Sequence, residues 1–113
     1  MIIQNFNDVD AIDLMEGVKK RIVIGKKVGA PNFIMRIFDL APGASSPYHN
    51  HPWEHEIFVI QGKATIKDET EKETPIGEGD TAFIAPDEKH CLINRGEELF
   101  RFMCLIPTSA TEE

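Results

Sequence analysis

Three of the four histidines in this chain of 113 residues fall within seven positions, in the stretch HNHPWEH at residues 49–55. The fourth, His90, stands alone further along the chain. Imidazole is a common metal ligand in proteins, and a metal site needs several neutral rings to converge on one point. The pattern therefore indicates either a metal site or a surface cluster of histidines without a role.

The spacing of the first three histidines favours convergence. Residues two apart on a strand face the same side, so His49 and His51 should project together. Pro52 has no amide hydrogen and stops regular strand pairing, so the chain has to bend before a strand resumes near Glu56. Because of that bend, we predict that His55 returns to the same cavity as the other two rings.

The elements that must position these rings are short strands. Six segments are rich in Ile, Val, Phe and Thr and are bounded by Gly, Pro, Asn or Asp, a pattern that predicts a sandwich or a barrel. They cover residues 20–25, 32–43, 56–68, 80–86, 90–96 and 99–107. The acidic stretch between Gly62 and Gly79 is interpreted as a strand, a solvated hairpin tip and a returning strand. Residues 8–16 are too short a pattern for a helix and are predicted to be irregular.

Composition narrows the class of protein. The net charge of −7 and the absence of a Lys/Arg-rich run argue against a nucleic-acid partner. The sequence shows neither a signal peptide nor an apolar run long enough to span a membrane, so we expect a cytoplasmic protein with no membrane partner. Cys91 and Cys104 do not form a C-x-x-C pair and are expected to be reduced thiols.

Two motifs resemble those of the cupin family. The first has a glycine, five residues, His-X-His, three or four residues, a glutamate, six residues and a glycine. The second has a glycine, five residues, Pro-X-Gly, two residues, a histidine, three residues and an asparagine. The matching positions here are Gly43, His49, His51 and Gly62 in the first motif and Gly79, His90 and Asn94 in the second. Together the motifs and the stretch between them cover about half the chain.

The resemblance implies an all-β jelly-roll barrel, the double-stranded β-helix, in a single domain over residues 1–113. We expect the conserved barrel core at about residues 33–107, an N-terminal strand or arm at 1–32 and a frayed tail at 108–113. Small cupins are often homodimers, and the strand at residues 20–25 is predicted to offer a free edge to a second copy.

Two departures from the motifs affect the site. Ala85 occupies the family's proline position and Asp87 its glycine position, so the turn before His90 must be built differently. At the glutamate position, a spacing of three residues reaches His55 and leaves the required six residues before the glycine. A spacing of four reaches Glu56 but leaves only five residues, so His55 is favoured.

A narrower resemblance concerns the metal. The run HPWEHEIFV, the ending FMCLIP and the stretch APNF are similar to those of small single-domain cupins with a four-histidine manganese site. This resemblance implies one divalent metal ion per chain, Mn(II), held by His49, His51, His55 and His90. By ligand type alone, Fe(II), Ni(II), Zn(II) and Cu(II) are alternatives.

A metal ion bound by four neutral ligands is a stronger Lewis acid than one bound by three histidines and a carboxylate, because no anionic ligand offsets its charge. An octahedral ion would also keep two adjacent positions open, which indicates chemistry rather than a purely structural role. We therefore predict a metal-dependent oxidoreductase of dioxygenase type acting on a small organic substrate. The alternative is a non-catalytic or isomerase-like cupin that binds a small molecule.

Strand alternation also predicts the lining of the pocket. Leu92 shares a face with His90, and Phe102, Cys104 and Ile106 form an apolar wall on the last strand. Both faces of the strand around Arg36 are largely apolar. Arg36 is therefore either a residue at the pocket that binds a substrate carboxylate or a surface residue whose charge reaches solvent.

Overall fold

The structure, a computed structural model, describes residues 1–110, and the regular elements of this part are nine β-strands and two short 3-10 helices. The strands are β1 (Ile12–Met15), β2 (Val18–Ile24), β3 (Phe33–Leu40), β4 (His55–Gln61), β5 (Lys63–Lys67), β6 (Glu73–Gly77), β7 (Thr81–Ile84), β8 (Cys91–Ile93) and β9 (Phe100–Pro107). The helices are Phe6–Asp8 and Lys26–Val28. The all-β prediction is confirmed. Neither helix of this described part has the length or hydrophobicity that spanning a bilayer requires.

The strands form two antiparallel sheets. The larger has the order β1-β2-β3-β9-β4-β7, and the smaller has the order β6-β5-β8. Residues 43–49 run beside β8 and extend the smaller sheet through bridges between Ser45 and Ile93 and between His49 and His90. The two sheets face each other across the core, as in a jelly-roll barrel. The hairpin predicted between Gly62 and Gly79 is present as β5 and β6.

The core lies between the sheets and follows the period of two expected of strands. On β9 the inward side chains are almost fully buried, at 0%, 4%, 2% and 2% exposure for Phe100, Phe102, Cys104 and Ile106. They pack with apolar residues of β3, β4, β7 and β8, among them Ile34, Leu40, Ile57, Val59, Ile84 and Leu92. Cys91 and Cys104 are both buried and free, so no disulfide contributes to this core.

The N-terminal region departs from expectation. Residues 8–16, predicted to be irregular, contain β1, whose four side chains are all exposed. β1 pairs with the first part of β2, from Val18 to Lys20, and β2 pairs with β3 along its other edge. Of residues 20–25, which were predicted to offer a free edge, only Lys20 pairs with β1, and β1 is the edge strand at this end of the sheet.

Gly62 joins β4 to β5 at a position that excludes a side chain. Its φ is 82°, in the left-handed region. A Cβ there would stand 2.3 Å from the carbonyl oxygen of Leu99. The family glycine at this position is therefore required by both backbone conformation and space.

On the outer face of the larger sheet, Asp39 binds two arginines from neighbouring strands. It accepts hydrogen bonds from Arg101 Nε (2.6 Å) and Nη2 (2.8 Å) and from Arg21 Nη1 (3.2 Å). Burial would raise the pKa of Asp39, but the hydrogen bonds and charges of Arg101 and Arg21 outweigh it and hold the pKa below its usual value. The cluster ties β2, β3 and β9 together.

The segment that follows β9 was predicted to be frayed. Within its described part, the amide of Thr108 donates to the carbonyl of Asn32 at 3.1 Å. Ala110 is 1% exposed and packs against the core. Residues 111–113, the remainder of the predicted tail, lie outside the described residues.

Candidate metal centre

Backbone hydrogen bonds bring the four histidines together from distant parts of the chain. His49 and His90 pair across the end of the smaller sheet, with N–O distances of 3.1 and 2.9 Å in the two directions. The carbonyl of His51 accepts from the amide of Asp87 at 2.6 Å, which holds it beside the same turn. His55 begins β4 of the larger sheet and points inward, with 6% exposure.

The four rings form one cluster. Ring centroids are 4.5 Å apart for His49 and His51, 5.2 Å for His49 and His90, 5.4 Å for His51 and His55, and 4.9 Å for His55 and His90. The rings of His51 and His90 are 6.4 Å apart. Two imidazoles bound to one ion at about 2.1 Å have centroids about 4.5–5 Å apart at right angles and about 6.5 Å apart when opposite. The separations therefore match the spacing that a single ion would require.

The closeness of the rings does not by itself amount to a preformed metal site. Among residues 1–110, no three His, Cys, Asp or Glu side chains, as they are placed, form a group that could hold a metal ion. The donor chemistry nevertheless fits, because two of the rings are prepared for ligation. His90 Nδ1 lies 2.8 Å from the carbonyl of Glu88, which can only accept, so the neutral ring has its lone pair on Nε2. His55 Nδ1 is buried and has no hydrogen-bond partner in the part of the chain that the structure describes.

His55 is held in its neutral form. Burial, together with the charges of the neighbouring His90, Arg36, His51 and His49, lowers its pKa from 6.5 to about 3. A neutral ring is the form that binds a metal ion. The exposed Glu56, the other candidate for this position, lies on the opposite side of β4 and is outside the ring cluster.

The turn before His90 compensates for the residues that depart from the family motif. Asp87 adopts φ 66°, so it takes the left-handed conformation for which the motif uses glycine. Aspartate is among the residues that tolerate this region best. The side chain of Glu88 closes the turn by accepting from the amide of Ala85 at 3.1 Å. The altered sequence therefore still delivers His90 to the cluster.

A cavity of about 110 Å³ opens beside the histidines. Of the predicted lining residues, Arg36, Leu92, Phe102 and Cys104 line it together with all four histidines. Ile106 is buried in the core and does not reach this cavity. Side chains that the sequence did not suggest complete the wall, namely Leu14, Met15, Val18, Lys20, Phe38, Leu40, Ser46, Pro47, Ile57 and Ile84.

Arg36 is buried rather than solvated, with 6% exposure. Its Nη2 atom donates to the sulfur of Cys104 at 3.1 Å, and its Nε atom is buried without a partner. Its guanidinium carbon lies 5.0 Å from the centre of the Phe38 ring, which itself stacks on Phe102. The interpretation of Arg36 as a solvated surface residue is therefore wrong.

Trp53 contacts the site directly. Its ring stacks on that of His51, with centroids 4.6 Å apart and planes 7° from parallel. The contact fixes the orientation of His51 and shields one face of its ring from solvent. Residues 51–54 belong to no strand, so strand alternation could not predict this contact, and only the closeness of Trp53 to the histidines in the sequence could have suggested it.

Comparison with known proteins agrees with this architecture. The sequence pattern of the family described as the Cupin domain matches residues 36–106. An oxalate-binding protein of Thermotoga maritima is 33% identical over 67 residues, which cover 59% of this chain and only 55% of that protein.

Solved structures give the same picture of the fold. The polyketide cyclase RemF of Streptomyces resistomycificus superimposes with a TM-score of 0.91 and 26% identity, over 98% of this chain and 82% of that one. A predicted oxalate decarboxylase of Thermotoga maritima superimposes with a TM-score of 0.79 and 24% identity, over 94% of this chain and 98% of that one. With the family pattern matching well over half of the sequence, this chain belongs to the cupin family.

Proposed function

We propose that His49, His51, His55 and His90 hold one divalent metal ion and that the protein is a metal-dependent oxidoreductase of dioxygenase type. The observation that carries the proposal is the convergence of four imidazole rings at one end of a small cavity that is otherwise mainly apolar. Manganese is the proposed ion because of the similarity to four-histidine manganese cupins, and iron is the next candidate. An ion of this kind would supply Lewis acidity and a change of oxidation state to the reaction.

The protein's own residues would bind and enclose the substrate. Phe38, Leu92 and Phe102 present apolar surface that excludes water from the cavity. Trp53 holds the ring of His51, and the carbonyl of Glu88 holds that of His90. In a dioxygenase reaction both atoms of O₂ enter the product, so the substrate supplies all the electrons and no further reductant is needed.

A second candidate is a non-oxidative cupin that binds or isomerises a small molecule. The names of similar proteins support it, because they include an oxalate-binding protein and a polyketide cyclase. A sugar phosphate isomerase of Silicibacter pomeroyi also shares the fold, with a TM-score of 0.81 and 20% identity over 94% of this chain and 75% of that one. Binding, cyclisation and isomerisation require no net oxidation of the substrate.

Elemental analysis of protein purified without added metal tests the site. We expect about one divalent ion per chain and lower occupancy in each of His49→Ala, His51→Ala, His55→Ala and His90→Ala, because each change removes one ligand. Glu56→Ala is the matched control, since it alters the neighbouring position on the outer side of β4. Full occupancy in His55→Ala with loss in Glu56→Ala would show that the wrong residue had been chosen.

Exchange of the native ion for Zn²⁺ separates the two functions. Zinc offers Lewis acidity without redox change. We expect the exchange to abolish O₂ consumption with small phenols, diketones or alkenes while leaving ligand binding nearly intact. Protein that contains only zinc when purified, or turnover that survives the exchange, would favour the non-oxidative candidate.

A further inference from the structure

Arg36 carries a buried charge that the surrounding protein leaves largely uncompensated. Only 6% of the residue is exposed, and its Nε atom has no hydrogen-bond partner among the described residues. Its one side-chain hydrogen bond goes to the sulfur of Cys104, a weak acceptor. Burial raises the pKa of the Cys104 thiol despite the lowering effect of Arg36, so the sulfur is neutral and does not balance the charge.

The other arginines of the chain behave differently. Each of the remaining three forms an ion pair with a carboxylate. Within residues 1–110 no carboxylate pairs with Arg36, and its guanidinium contacts the sulfur of Cys104 and the face of the Phe38 ring, 5.0 Å from its central carbon. A buried charge without a counter-ion is costly, so a position of this kind is typical of a site for an anionic ligand.

The cavity itself favours an anion. Its lining includes Arg36 and Lys20 and contains no Asp or Glu, although the whole chain has a net charge of −7. Arg36 and all four histidines line this same cavity. A ligand held by Arg36 would therefore lie beside the four histidines.

We propose that Arg36 binds the carboxylate of a small organic acid, whose apolar part rests against Phe38 and Phe102. This inference rests on the proposed function in that it names the substrate class of the same cavity. The guanidinium presents its N–H groups as a planar fork that matches two carboxylate oxygens. The cavity of about 110 Å³ limits the acid to a few carbon atoms, and its mainly apolar wall suits a carboxylate better than a fully charged phosphate.

Calorimetric titration with propionate and with its neutral analogue propionamide tests the inference. The two probes have nearly the same shape, so their ratio of affinities isolates the contribution of the carboxylate charge. We expect the parent protein to prefer propionate by about tenfold to a hundredfold, the usual effect of a hydrogen-bonded charge. Arg36→Met should abolish this preference and leave propionamide binding unchanged. Arg36→Lys should retain part of it.

The control variant is Arg95→Met, which removes an exposed guanidinium that is not part of the cavity lining and should keep the full preference. Thermal unfolding of each variant shows whether it is folded, and the ratio of affinities is insensitive to a small loss of stability. An unchanged preference in Arg36→Met overturns the inference, as does the absence of saturable propionate binding to the parent. Inorganic phosphate that binds more tightly than propionate, and does so through Arg36, also overturns the assignment to a carboxylate.

The titrations are run on protein as purified and after treatment with a chelator, so that this inference and the metal site are tested separately. Arg36-dependent propionate binding to a protein that takes up no metal would reject the proposed function and retain the inference. Full metal occupancy together with equal propionate binding in the parent and Arg36→Met would support the metal site and reject this inference.

Discussion

Replacement of Asp39 by Asn should destabilise the fold although Asp39 lies outside the candidate site. Asp39 is 8% exposed and accepts three hydrogen bonds from two arginine side chains that are each 18% exposed. Asparagine keeps one acceptor but removes the negative charge, so both cations lose their counter-ion. Hydrogen bonds to charged groups contribute about 1.5–3 kcal/mol each, and the partial exposure of the arginines reduces the loss. We expect the free energy of unfolding to fall by about 2–3 kcal/mol.

The effect should depend on pH in a definite direction. The folded-state pKa of Asp39 lies below its ordinary value of 3.8, so the folded protein binds the proton less readily than the unfolded chain. The stabilisation is therefore fully present above about pH 4–5 and is lost as the pH falls through the folded-state pKa. The difference between parent and Asp39→Asn should be constant between neutral pH and pH 5 and should shrink in more acidic solution.

Urea unfolding followed by circular dichroism measures both quantities. Glu73→Gln provides a matched control, because Glu73 pairs with Arg95 on the surface, where side-chain exposures are 39% and 59%. That variant should unfold at the same urea concentration as the parent. An Asp39→Asn protein as stable as the parent at pH 7, or one whose deficit is undiminished at the lowest pH where both fold, would refute the argument.

Further predictions concern two turns and the assembly. Gly62→Ala should lower the free energy of unfolding in urea by about 3 kcal/mol, from left-handed strain and the clash with the Leu99 carbonyl, whereas Gly79→Ala, with φ 84° and open space, should lose only about 1 kcal/mol. Equal losses would contradict this. Asp87→Gly should raise the free energy of unfolding by about 0.5 kcal/mol, and with it the melting temperature, because it relieves left-handed strain. A lower melting temperature would show that the side chain of Asp87 is needed. Light scattering should give twice the chain mass of 12.7 kDa, since β1 is an exposed edge and the N-terminal segment borders an apolar cleft of about 630 Å³; a monomer at micromolar concentration would be decisive against it.

Most of the fold could be predicted because burial leaves a period of two in the sequence. β9 shows this pattern clearly, with alternate residues from Phe100 to Ile106 inside. β1 could not be recognised, because all four of its side chains are exposed although three of them, Ile12, Leu14 and Met15, are apolar. A strand whose side chains all remain exposed has no burial pattern to detect.

The meeting of the four histidine rings could be predicted from the sequence, but the surroundings of Arg36 could not. The histidine spacing and strand periodicity indicated which rings could meet. For Arg36, both neighbouring faces of β3 are apolar, so alternation could not decide whether the charge lies inside. The inward position of Arg36 depends on the residue paired with it on β9, which is Cys104. The small side chain of Cys104 leaves room for the guanidinium. Pairing between strands 68 positions apart is not visible in local sequence.

Because Trp53 is the only tryptophan in the chain, its contact with His51 has a practical consequence. All indole fluorescence of the protein originates at a ring stacked on one member of the histidine cluster. A change in the charge or position of that imidazole should alter the emission without interference from other tryptophans. The unmodified protein therefore carries its own optical reporter, with which the order and stoichiometry of events at the cluster can be followed in stopped-flow experiments.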